Sequence, residues 1–219
     1  MQKLPDFPWD LLAPYGDKAK KHPDGFIDLS QGTPVDPTPK FIQDALSKAS
    51  NSPSYPLTAG SEELRAAIKD FAIKTLGVTG EFDVLPTIGS KELIALLPTF
   101  LQSKTVLYPA VAYPTYLVGA LMASAQPTPV EIDATTWPVA DLAWVNSPSN
   151  PTGQVQSSEQ LLAAIDWARK NNSILASDEC YLSFTTTGKS ILALSGGNNS
   201  GLLAVHSLSK RSNLAGYRA

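Results

Sequence analysis

The sequence has one cysteine, two histidines and no basic tract. A lone Cys180 cannot close an internal disulfide, so a reducing cytoplasm is the default expectation. So few thiols and imidazoles argue against a His/Cys zinc site, and no metal is expected. Charged residues make up 17% of the chain and the formal net charge is -3. With lysine and arginine dispersed, nucleic acid is a poor partner. No apolar run approaches the ~20 residues that cross a bilayer. The opening Met1-Gln2-Lys3-Leu4-Pro5-Asp6-Phe7-Pro8-Trp9-Asp10 lacks the apolar region of a secretory signal. No membrane partner is therefore expected. Internal repeats and low-complexity segments are also lacking. What is present is a 43% hydrophobic chain of 219 residues, enough for one large domain or one domain plus a small appendage.

Residues 1–37 are rich in proline and glycine and read as an arm, not a helix-strand unit. The pattern predicts a helix over 38–50, then a loop over 51–60 carrying Tyr55. Ser61 caps a second helix, with Leu64, Ile68, Phe71, Ala72 and Leu76 on one face. A regular alternation follows. Strands are predicted over 84–88, 105–108, 128–132, 142–145, 174–177 and 202–206. Helices are predicted over 90–101, with Pro98 a weak point, and over 113–123 and 157–171. Short strands alternating with longer helices point to an α/β fold with a mostly parallel sheet covered on both faces. Ligands of such sheets bind at the carboxyl ends of the strands. Five loops with polar residues fall there and should converge on one crevice.

Lys210 ends the stretch Ser207-Leu208-Ser209-Lys210 after the apolar Leu202-Leu203-Ala204-Val205, and Arg218 follows eight residues on. A lysine between hydroxyls, with a cation nearby, suits a Schiff base with pyridoxal phosphate; desolvation and neighbouring cations make such an amine nucleophilic. The bland alternative is a solvated surface lysine. Asp178 leaves the buried run Ile174-Leu175-Ala176-Ser177 at the sheet edge. It suits a carboxylate that keeps a pyridine nitrogen protonated, or else a turn aspartate. Tyr181 suits a bond to the ring 3-oxygen, or simple packing. Asn150, in Asn146-Ser147-Pro148-Ser149-Asn150-Pro151-Thr152-Gly153, suits the same oxygen or an ordinary loop. Gly89-Ser90-Lys91-Glu92 opens a helix after a strand, where free N–H groups and the helix dipole favour a phosphate; a plain N-cap is the alternative. The spacing is not that of a P-loop. Tyr113 suits stacking on a cofactor ring, or core packing. Cys180 and His206 read as packed residues with no Cys-His pairing.

These segments, in this order, resemble the fold-type I, pyridoxal-phosphate-dependent aminotransferases of class I/II. The likeness is greatest to actinobacterial N-succinyldiaminopimelate aminotransferases. Further segments that carry it are Asp28-Leu29-Ser30-Gln31-Gly32-Thr33-Pro34-Val35-Asp36-Pro37 and Ala112-Tyr113-Pro114-Thr115-Tyr116. The resemblance implies a three-layer α/β/α large domain over 38–219, preceded by an N-terminal arm and substrate loop over 1–37. It implies that Lys210 carries the cofactor and shuttles the proton, and that Asp178 pairs with the pyridinium. Asn150 and Tyr181 would bond the 3-oxygen, and Tyr113 would stack on the ring. Gly89, Ser90, Lys91, Ser207 and Arg218 would hold the phosphate. Tyr55 would reach the phosphate of a neighbouring subunit in a homodimer, and Gly32 would lie against the substrate carboxylate.

The implied reaction moves an amino group from glutamate to a keto acid, N-succinyl-2-amino-6-oxopimelate in diaminopimelate and lysine biosynthesis. Another aminotransferase or a β-lyase on the same platform, or a non-catalytic cofactor-binding domain, are the competing readings. The family continues past the segment ending in Arg218 into a further strand and a small C-terminal domain carrying a carboxylate-binding arginine. The expectation is therefore of a chain cut short, poorly stable and inactive as a separate polypeptide.

Overall fold

The computed structural model describes residues 4–6, 8–30, 32 and 35–218. A 3-10 turn at Asp10–Leu12 leads into α1 (Ala13–Ala19), a short helix inside the segment expected to be an arm without one. Pro14 falls in its first turn, where a missing N–H has no intrahelical partner to lose, so local proline content did not forbid it. α2 (Lys40–Lys48) and α3 (Glu62–Lys74) follow as expected. The Ser61 hydroxyl accepts the Leu64 N–H at 3.2 Å. Then come α4 (Ser90–Phe100), β1 (Thr105–Pro109), α5 (Thr115–Met122), β2 (Gln126–Val130), β3 (Leu142–Asn146), α6 (Ser158–Asn171), β4 (Ile174–Asp178), α7 (Ile191–Leu194), β5 (Leu202–Val205) and α8 (Leu208–Arg211).

Among the described residues the strands form one five-stranded sheet in the order β2-β1-β3-β4-β5, every pairing parallel. β3 is buried along its whole length, which explains its unbroken apolar run. Successive side chains point to opposite faces. Leu107, Val145 and Leu175 pack against Leu161 and Ile165 of α6 and Ile191 of α7. Val106, Leu142, Trp144 and Ala176 pack against Ile94 and Leu97 of α4 and Tyr116 and Ala120 of α5. The three layers are thus helix, sheet and helix. α5 approaches α4 closely at Gly119, where an added Cβ would stand 2.9 Å from the carbonyl oxygens of Ile94 and Ala95.

Two strand expectations are corrected. Residues 84–88 form no strand: no neighbouring backbone completes a ladder with them, and Leu85 and Ile88 are exposed. Apolar composition gives a segment the capacity to pair, and only a partner realises it. β2 begins two residues earlier than expected, with Thr105 opposite Gln126 and Pro109 opposite Val130. Pro127 and Pro129 are tolerated because β2 is an edge strand: alternate residues turn the same way, so both missing N–H groups lie on one side.

Candidate active site

The register sets Asn146 beside Asp178 and Asp178 beside Val205, so the loops leaving β3, β4 and β5 emerge side by side. Asp178 is buried at the end of β4. Its Oδ2 accepts the Tyr116 hydroxyl at 2.8 Å and its Oδ1 accepts the Cys180 N–H at 3.1 Å. Tyr116 is fully buried, its ring stacked on Trp144 with centroids 5.1 Å apart. Burial, reinforced by the Asp178 charge, holds its phenol well above the usual tyrosine range. It therefore stays a neutral donor and leaves the negative charge on Asp178. Sequence reasoning missed this residue, since a tyrosine inside an apolar helix resembles core. The one available signal was its position a helical turn beyond Tyr113. The Tyr113 ring stands edge-on to it at 5.9 Å.

Four further contacts hold the loops. Asn146 Nδ2 donates to the Asp178 carbonyl at 2.9 Å and to the Pro148 carbonyl at 3.2 Å. Its Oδ1 accepts the Asn150 N–H at 2.7 Å, so Asn146 fixes the loop bearing Asn150. The buried Cys180 Sγ lies 3.4 Å from the Ser90 hydroxyl at the start of α4. Burial pushes this thiol strongly upward, so it is a packed neutral group, as expected, and not a nucleophile.

Lys210 stands on α8, whose N-cap Ser207 accepts the Ser209 N–H at 3.1 Å. The Lys210 Nζ lies 5.9 Å from the centroid of the Tyr181 ring. Tyr181 is half-buried, and desolvation, with the Asp178 charge behind it, raises its phenol, which keeps it a hydrogen-bond donor. Arg218 reaches back across the sheet edge to α4. Its Nη2 lies 3.1 Å from Glu92 Oε2, and its guanidinium rests on Gly89, where any Cβ would collide with it. Gly89 also has φ of +73°, which suits glycine alone. The N-terminus of α4 and an arginine thus share one place, a fitting seat for a phosphate.

Asp178, Tyr113, Tyr181, Lys210, Gly89, Ser90, Asn150, Ser207 and Arg218 therefore lie on the strand ends, loops and first helical turns at this sheet edge, with Lys91 in the first turn of α4. Gly32 and Tyr55 are exposed, and among the described residues no hydrogen bond or ring contact joins them to the cluster. Gln31, Thr33 and Pro34 of the expected substrate loop lie outside the described residues, as do Phe7 and Ala219.

Residues 24–219 match the family model for aminotransferase class I and II. The chain belongs to that family. This aminotransferase chain is 46% identical over its whole length to 4-dedimethylamino-4-oxo-anhydrotetracycline transaminase of Streptomyces rimosus, of which it covers 64%. Among solved structures it is similar to aminotransferase AspB from Helicobacter pylori, with TM-score 0.87, 32% identity, 99% of this chain and 64% of that one. It is similar also to N-succinyldiaminopimelate aminotransferase from Mycobacterium tuberculosis, with TM-score 0.79, 26% identity, 95% of this chain and 59% of that one. The chain thus spans about three-fifths of the length of these relatives. The expected subgroup is not singled out, because the more similar Streptomyces protein carries a different name. The family uses pyridoxal phosphate, and the residues present fit that group: a buried acid, an amine beside a tyrosine, and a helix N-terminus topped by arginine.

Proposed function

We propose that residues 38–219 are the cofactor-binding large domain of a cytoplasmic transaminase, with 1–37 serving as arm and substrate loop. One observation supports this most: Asp178, held through both oxygens, shares a sheet edge with Lys210 and with the Arg218–Gly89 seat. Pyridoxal phosphate supplies an aldehyde and an electron-accepting ring. Lys210 would hold this group at Nζ and would carry a proton at that atom to and from the substrate α-carbon. Asp178 holds the pyridinium proton. Tyr181 and Asn150 would donate to the ring 3-oxygen, and Tyr113 would lie against the ring face. Gly89, Ser90, Lys91, Ser207 and Arg218 hold the phosphate, the α4 residues largely through backbone N–H groups. Gly32 receives the substrate carboxylate. In a homodimer the exposed Tyr55 reaches the phosphate of the second subunit.

The proposed substrates are glutamate as amino donor and N-succinyl-2-amino-6-oxopimelate as acceptor. The supporting likeness is to the Mycobacterium enzyme together with the segments quoted from the sequence. A second reading has its own support: the higher identity to the Streptomyces transaminase favours a bulkier ketone acceptor. A panel pairing glutamate with each acceptor separates the two, scored for 2-oxoglutarate. Turnover on the succinylated keto acid alone upholds the first reading. Turnover confined to polycyclic ketones replaces it with the second, and ammonia released from an added β-substituted amino acid such as cysteine points to a β-lyase instead.

A further inference from the structure

We propose that Glu179 and His206 form a buried latch that sets the position of Lys210 relative to Asp178, acting as positioning residues for the cofactor. This rests on the cofactor-site reading above. Glu179 follows Asp178 directly, and His206 immediately precedes Ser207, the cap of the turn that carries Lys210. The Glu179 side chain is 1% exposed, and its Oε2 lies 3.1 Å from His206 Nε2. The contact is an ion-pair approach, because neither atom meets hydrogen-bond geometry with the other or with any other group among the described residues. The other oxygen, Oε1, accepts the Ile191 N–H at 2.9 Å. An enclosed carboxylate oxygen with no hydrogen-bond donor of its own favours the imidazole beside it, and that ion-pair contact holds the ring where it stands. The Glu179 N–H also donates to the Val205 carbonyl at 2.9 Å, carrying the ladder past the end of β4. The two strand ends are thus tied by main chain and by side chain.

The latch continues on the other side of Lys210. The His206 ring stands edge-on to Phe71 of α3 at 5.9 Å, and the Arg211 guanidinium carbon lies 4.2 Å above the centroid of the same ring. His206 and Arg211 bracket Lys210 and share one anchor. Side chains alternate across a strand, so Glu179 faces away from the surface that Asp178 serves and acts only through geometry.

The test compares His206→Ala and His206→Gln in the full-length protein, titrated with pyridoxal phosphate. The readouts are cofactor affinity and the pH midpoint of the visible absorbance band. His206→Ala is expected to bind the cofactor roughly tenfold more weakly and to shift that midpoint. His206→Gln, whose amide can still donate to Glu179, is expected to recover both. Wild-type affinity and midpoint in a folded His206→Ala protein overturn the latch, as does failure of His206→Gln to recover. His206→Gln keeps a donor group beside the buried carboxylate, and melting curves on both variants establish that each is folded before the cofactor readouts are compared. A wild type with no visible band at all overturns the cofactor reading itself, which distinguishes the two failures.

Discussion

Tyr116 and Cys180 place two neutral groups around the charge of Asp178, and both carry raised ionisation points because they are buried. In the unfolded chain the thiol ionises near 9.0 and the phenol near 10.0. Above those values the unfolded chain has lost protons that the folded one retains. Stability contributed by these groups is present below pH 9 and falls as pH rises through alkaline values. Urea unfolding between pH 8 and 11 should show that decline, with a shallower slope in Tyr116→Phe. At neutral pH the same variant should lose about 1–3 kcal/mol, because a buried carboxylate oxygen loses its donor. An unchanged alkaline slope would remove Tyr116 from this role. At this scale the sequence was informative where a residue's surroundings are local. Lys210, Asp178 and Gly89 stood out by the segments they end or begin. Tyr116 and Asn146 did not, because their partners lie 62 and 32 residues away.

The element that matters most for the phosphate seat is α4. Its first turn carries Gly89, Ser90 and Lys91, while its middle is pressed by α5 at Gly119. Gly119→Ala would drive a methyl into backbone carbonyls that cannot swing aside. The expected cost is about 1–3 kcal/mol in denaturant unfolding, with weaker cofactor binding as α4 shifts. Full stability in that variant would show that the two helices have slack. Most elements were legible from period and caps: Ser61 and Ser157 mark the starts of α3 and α6, and the Ser157–Gln160 capping box closes on both sides. What failed was the strand expected over 84–88. An apolar run records the capacity to pair, whereas the partner is a property of the whole sheet. The helix at Ala13–Ala19 was missed for the opposite reason, since its proline falls at the one turn that tolerates it.

At the scale of the molecule, many exposed apolar residues fall in the N-terminal part of the sequence, among them Ile27, Leu29, Val35, Phe41 and Tyr55, and they leave apolar surface open there. Such a surface suits a second copy of the chain, consistent with the proposed homodimer. Light scattering of the full-length protein should give twice the monomer mass, and Tyr55→Phe should leave that mass intact while weakening cofactor binding. A monomer with full cofactor affinity would contradict the shared-site proposal. No helix among the described residues is long and apolar enough to cross a membrane.

The central claim concerns a single amine, and it can be read by mass. The full-length protein, loaded with pyridoxal phosphate, is reduced with borohydride, digested and sequenced by mass spectrometry. The account predicts a phosphopyridoxyl group on the peptide containing Lys210, and on no other lysine. A label at Lys91, at another lysine, or at none would contradict it.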